Sequence, residues 1–214
     1  MTNTNQYNTQ GRCIIIKNIL LTATALFLAP ITALAVSLSD ITDNPDEYVM
    51  VSSNSTSAFY VDSYSISSIR YEPPYYSMSC QAYIVSYDIN TIFRFDATAT
   101  YDYNHRFKSL YAYELRQHPG YSRKEILNMA INDFELNNGM TSYLGNMVFW
   151  DFDGNYLGEM SARDRDNIAY LYGDYGLDDT SCKINSAAYH IANYMFFKGY
   201  DEYFNPKFNS KNLY

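Results

Sequence analysis

The sequence predicts an α+β domain, mainly an antiparallel β-sheet in meander order, with one internal helix and a C-terminal helix. Three observations carry that prediction. Ile92 to Tyr103 alternates: Phe93, Phe95, Ala97, Ala99, Tyr101 and Tyr103 fall on one side, and Arg94, Asp96, Thr98, Thr100 and Asp102 on the other. A period of two with one apolar and one polar side belongs to a strand whose sheet has a packed face and a wet face, the habit of antiparallel sheets. Ser122 and Glu125 form an S-x-x-E capping box ahead of Ile126, Leu127, Ala130, Ile131 and Phe134, which recur at helical spacing. Near the end, Ile184, Ala188, Ile191 and Met195 mark one face of a second helix, with Gly199 as its stop.

The elements follow in order. Residues 1–35 read as a secretory signal peptide. Arg12 and Lys17 give a basic flank, Ile19 to Leu28 an apolar run, and Ala33-Leu34-Ala35 an A-x-A site with cleavage before Val36. The rival is an uncut N-terminal anchor, because Asn18 to Val36 is long enough to cross a bilayer. Pro30, Thr22, Thr24 and the A-x-A ending favour cleavage. Cys13 lies upstream of the apolar run, so it is no lipid-modified start of a mature chain.

Residues 36–214 then make a single extracytoplasmic domain, with 36–46 a polar lead-in containing Asn44-Pro45. Tyr48 to Ser52 and Ala58 to Asp62 read as strands around the turn-forming Ser53-Asn54-Ser55. Tyr71-Glu72-Pro73-Pro74-Tyr75-Tyr76 reads as an extended loop or a sheet edge, since a double proline cannot sit in a central strand. Met78 to Tyr87 is apolar on both sides, as a central strand is. Asn104-His105 reads as a two-residue turn, with Phe107 to Leu115 returning as the next strand. His118-Pro119-Gly120 breaks the sheet, and Asn138-Gly139 ends the internal helix. Met147 to Phe152 and Tyr156 to Met160 form a hairpin around Asp153-Gly154. Residues 161–181 are polar and fit no single element; 201–214 read as an irregular tail.

Composition narrows the function. After cleavage 13 cationic side chains face 23 acidic ones, a net charge of −10, so nucleic acid and anionic lipid are poor partners. Tyrosine is in surplus, at 24 residues; the rings suit half-buried strands, and some of them suit a binding face. Cys80 and Cys182 are the two cysteines left after cleavage, and in an oxidising compartment such a pair forms a disulfide. Closing so long a loop is worth at most about 4–5 kcal/mol. Two buried free thiols or a catalytic cysteine are the alternatives.

No cofactor motif is present, and His105, His118 and His190 have no metal-ligand spacing. Asp151-Phe152-Asp153-Gly154-Asn155 has its glycine too early for an EF-hand loop and is explained by a turn. Asp151 and Asp153 share a strand face, so an acid-pair hydrolase is a further, weaker reading. One site candidate remains: Tyr71, Tyr75 and Tyr76 around Pro73-Pro74, a rigid loop displaying aromatic rings that loses little entropy on binding.

Tyr60, Asp62, Ser65 and Ile66 spell Y-x-D-x-x-S-I, followed by alternating strands, Asp153-Gly154-Asn155 and a C-terminal helix. In this the chain resembles the surface-adhesin protein E group of small bacterial envelope proteins. The resemblance implies an antiparallel sheet flanked by helices, on the cell surface or in the periplasm, with binding rather than catalytic activity. That group is often lipid-anchored, and this chain lacks the lipobox cysteine. The expectation is a secreted, adhesin-like domain that holds an extracellular or envelope protein or polymer, without cofactor. The alternative is a structural or assembly component of the envelope.

Overall fold

The computed structural model describes residues 35–165 and 180–205; residues 1–34, 166–179 and 206–214 lie outside these. The predicted α+β class holds, and the sheet is antiparallel throughout. Its centre is a pair of twelve-residue strands, β4 (Tyr75–Ser86) and β5 (Thr91–Asp102), registered from Tyr75↔Asp102 to Ser86↔Thr91. The other edge of β4 is shared. β2 (Ser57–Asp62) takes one half and β3 (Ser67–Glu72) the other, and β1 (Tyr48–Ser53) lies outside β2. β6 (Met140–Asp151) pairs along β5, and its outer edge takes β7 (Tyr156–Met160) and the two-residue β8 (Thr180–Ser181).

The alternation read from the sequence builds two unequal cores. Met78, Cys80, Ala82, Phe95, Ala97, Ala99 and Tyr101 face α4 (Ala187–Tyr200), which contributes Ile191, Ala192, Met195 and Phe196. The opposite face holds a smaller cluster of Tyr60, Tyr83, Val85 and Ile92 with Ile41 of α1 (Leu38–Asp43). Each fully buried large side chain contributes about 1.5–3 kcal/mol. Beyond that cluster the second face is hydroxyl-bearing. Ser67 meets Ser79 at 3.0 Å, and Thr100 meets Thr141 at 2.5 Å.

Two expectations change. The lead-in contains α1, closed by a capping box in which Ser37 and Asp40 exchange hydrogen bonds; six residues are too few for a period to show. Phe107 to Leu115 is not a strand but helix α2 (Phe107–Gln117), so the one internal helix expected is not alone. Phe107, Leu110, Tyr111 and Glu114 turn inward at helical spacing, whereas Tyr113 and Leu115 are about half exposed. The alternation of aromatic residues there coincides with the helical stripe and does not set the conformation. The meander is therefore interrupted by a helical hairpin of α2 and α3 (Arg123–Leu136), and β6 is the strand that returns. Residues 201–205 form no helix or strand, as the irregular tail predicts, yet Phe204 is 2% exposed and Asn205 0%.

The double proline sits where a sheet edge was expected. Pro73-Pro74, joined by a cis peptide bond, turns β3 into β4, and β3 is exposed at all six positions. Of the ambiguous stretch, 162–165 is helical and Thr180–Ser181 is β8; the rest lies outside the described residues.

Candidate anion-binding cleft

The structure separates the three candidate tyrosines. Tyr75 and Tyr76 are consecutive in a strand and so point to opposite faces. Tyr76 is buried in the main core, and Tyr71 leans on it at 5.2 Å and on Tyr200 of α4 at 6.0 Å. Tyr75 lies on the other face, with the Arg70 guanidinium 5.7 Å above its ring. They form no common binding face.

Asp151 and Asp153 do not form an acid pair. Asp151 Oδ1 accepts from the backbone N–H of Asp153 and of Asn155, and its Oδ2 from Asn155 Nδ2 at 2.8 Å. The Asn155 side-chain amide, then its backbone N–H, hold the Asp151 carboxyl below the usual range. This carboxylate closes a hairpin turn, and Asp153 is exposed at its tip.

The expected Cys80–Cys182 disulfide is not formed: both are buried free thiols. Cys182 donates its N–H to Met140 O, 2.9 Å, on the outer edge of β6, whereas Cys80 lies in β4. Strands β5 and β6 stand between them, roughly 10 Å of sheet or more. A disulfide needs Cα atoms within about 7 Å. Burial pushes the Cys80 thiol up to about 12, which leaves it unreactive.

The residues behind the family resemblance do structural work. Tyr60 is in the second core, and Ile66 packs on the main one. Asp62 Oδ1 accepts from the N–H groups of Tyr64 and Ser65, and Ser65 Oγ accepts from Gln81 N at 2.7 Å.

A cleft lies elsewhere, at the start of α2. After β5 the chain makes a 3-10 turn, Tyr103–His105. Asp102 caps it, accepting from Asn104 N at 2.9 Å and holding His105 Nδ1 at 2.7 Å. Arg106 follows as the N-cap of α2 but supplies no side-chain cap. Instead the Phe107 N–H donates to Asn205 Oδ1 at 3.0 Å. Asn205 also donates to Asn138 O and, through its own N–H, to Asn193 Oδ1 of α4. The segment after α4 thus ties α2, the loop after α3 and α4 together by buried, satisfied amides.

The Arg106 guanidinium lies 4.4 Å from the Tyr103 ring centroid, and its Nη2 donates to Glu202 Oε1 at 3.0 Å. Lys108 Nζ donates to the same oxygen at 3.0 Å. Those donors, that of Lys108 foremost, hold the Glu202 carboxyl below its usual value. The second terminal nitrogen of that guanidinium, Arg106 Nη1, is buried without a hydrogen-bond partner. Phe107 meets Phe134 edge-to-face at 5.5 Å, which seats α2 against α3. Beside that contact opens a cleft of about 750 Å³, a size that suits small ligands.

Its walls are cationic. His105, Arg106, Lys108 and Arg116 line it with Tyr103, Tyr113 and Leu136, and Asp133 is its one lining acid. In a chain of net charge −8 this is a local reversal of sign. His105 is oriented by Asp102. The arrangement gathers Arg106, Lys108 and Arg116 around one cleft, with a single carboxylate, Asp133, on its lining. The sequence offered a signal for it, the basic run His105-Arg106-Phe107-Lys108 with Arg116 two turns later, but not its distant partners Glu202 and Asn205.

Among the described residues no three His, Cys, Asp or Glu side chains are grouped to hold a metal, and no helix is long and apolar enough to cross a membrane. Compared with known protein families, curated proteins and solved structures, the chain matches none.

Proposed function

We propose that the chain is an exported, non-catalytic binding domain of a bacterial envelope, adhesin-like in holding an extracellular or envelope protein or polymer. Its binding site in this reading is the cleft between α2 and α3, not the tyrosine loop. The observation that carries it is the clustering of three cationic side chains, Arg106, Lys108 and Arg116, in one cleft of an acidic protein. The signal-like N-terminus supports export, and the Y-x-D-x-x-S-I residues support the envelope likeness.

Two measurements test it. Fractionation with intact mass should find a chain beginning at Val36 outside the cytoplasm, with Cys80 and Cys182 alkylated only after unfolding and without reductant. A calorimetric screen of acidic and neutral saccharides and peptides should find an acidic ligand that binds, and charge reversal at Lys108→Glu with Arg116→Glu should weaken it about tenfold or more. A full-length cytoplasmic chain, or binding indifferent to that reversal, overturns the reading.

A second reading, an assembly component of the envelope, is favoured by β3. Its six exposed residues form a sheet edge and include Ile69, 59% exposed. Such an edge can pair with another chain. Concentration-dependent sedimentation that Ile69→Lys removes would favour this reading over the first.

A further inference from the structure

Resting on the cleft reading above, we infer that the ligand is a sugar acid, a saccharide unit whose ring carries a carboxylate, alone or within an acidic polysaccharide. The protein already binds one carboxylate here. Glu202 Oε1 sits 3.0 Å from both Arg106 Nη2 and Lys108 Nζ, so this corner has carboxylate geometry built in. Cationic capacity is left over. Among the described residues no ion pair engages Arg116, and Arg106 Nη1 is a buried donor without a hydrogen-bond partner, a need that a ligand reaching in beside it would meet.

The opposite wall narrows the class. Asp133 lines the cleft, and among the described residues its carboxylate takes part in no ion pair. A lone carboxylate repels a ligand that offers only negative charge, such as a polyphosphate. It accepts hydrogen bonds from a ligand that brings hydroxyls. Tyr113 adds a ring that is half exposed, a flat apolar surface for the C–H side of a sugar. One group of each kind is needed: a carboxylate for the cations, hydroxyls for Asp133 and a C–H face for Tyr113. A sugar acid carries all three. The volume of about 750 Å³ leaves room for more than one ring, and the exposure of Tyr113 and Leu136 leaves the cleft open to a continuing chain.

Glu202 gives the inference an unusual sign. It neutralises the cations that the ligand's carboxylate would use, so it competes with the ligand. Replacing it by its neutral isostere should tighten binding, an outcome that loss of folding cannot imitate.

The test is calorimetry on the purified protein with galacturonate, trigalacturonate, maltotriose and sodium phosphate. Trigalacturonate should bind, and maltotriose should not. Lys108→Glu with Arg116→Glu should weaken binding about tenfold or more, the scale of a lost charged hydrogen bond. Glu202→Gln should strengthen it at least about threefold, and Glu72→Gln on the remote β3 edge should leave it unchanged. Galacturonate binding as well as trigalacturonate would place a single unit in the cleft; tighter trisaccharide binding would place a polymer there, and both support the inference. Phosphate binding equally well, maltotriose binding, or no gain with Glu202→Gln would overturn it. If acidic peptides bind with the same charge-reversal pattern while trigalacturonate does not, the sugar-acid inference falls and the cleft reading stands. If no anion responds to charge reversal, both fall.

Discussion

Helices α2 and α3 lie against each other and begin in opposite ways. α3 starts itself: Ser122 Oγ accepts from Glu125 N at 3.3 Å, and Glu125 Oε2 accepts from Ser122 N at 2.8 Å. Everything its first turn needs lies within four residues. α2 has no cap of its own, and its first N–H is satisfied by Asn205, 98 positions away. Helix initiation is costly, so the start of α2 depends on the rest of the fold being in place. The borrowed start is also the one that borders the cleft. Local self-sufficiency gives α3 a scaffolding role, and dependence on Glu202 and Asn205 couples the cleft walls to the end of the chain.

The most damaging way to break this contrast is Phe134→Ala. Phe134 is fully buried and joins the two helices through Phe107, so its loss should cost about 3–5 kcal/mol by chemical denaturation. Hydrogen exchange should then accelerate in both helices; acceleration in α2 alone would mean that they are not coupled. Asn205→Ala separates them. It strands the Phe107 N–H and the Asn138 carbonyl, at about 2–4 kcal/mol together, and should release the first α2 amides while the α3 start stays protected. Equal deprotection of the two starts would end the comparison.

Ser122→Ala is the mirror experiment, at about 1 kcal/mol, with exchange rising only at the start of α3. The smallest effect comes from acid. The Ser122 hydroxyl, then its N–H, lower the Glu125 carboxyl below 4.5, so that contribution is complete above pH 4.5 and lost as pH falls through the folded-state value. The Glu202 clamp on α2 shifts in the same direction, but it is an ion pair. About 0.5 M salt should therefore weaken the α2 start at neutral pH and leave the α3 start alone, as exchange at both pH values would show.

Legibility followed the same division. The capping box and the spacing of Ile126, Ala130 and Phe134 made α3 readable, and the long alternation from Ile92 made β5 readable. Phe107 to Leu115 was misleading because a nine-residue stretch can carry both periods, and the capping partner that decides between them is remote. The tyrosine candidates failed on the pleat, since proximity in sequence put Tyr75 and Tyr76 on opposite faces. Counting cysteines could not show that two strands lie between Cys80 and Cys182. The cationic wall from His105 to Arg116 was visible as a run of charge, but Asp133 and Glu202 join it only through the packing of α3 and α4.

Asn205 also sets an order of events. A chain released N-terminus first, from a ribosome or a secretion channel, presents the partners for every strand pairing and both hairpin helices before residue 205 emerges. Until then the first amide of α2 has no acceptor, and Arg106 and Lys108 have no Glu202 to hold them. Among the described residues the cleft is therefore the last part to be completed, and a nascent chain stalled even a few residues short of Asn205 would carry these strands paired beside an unfinished site.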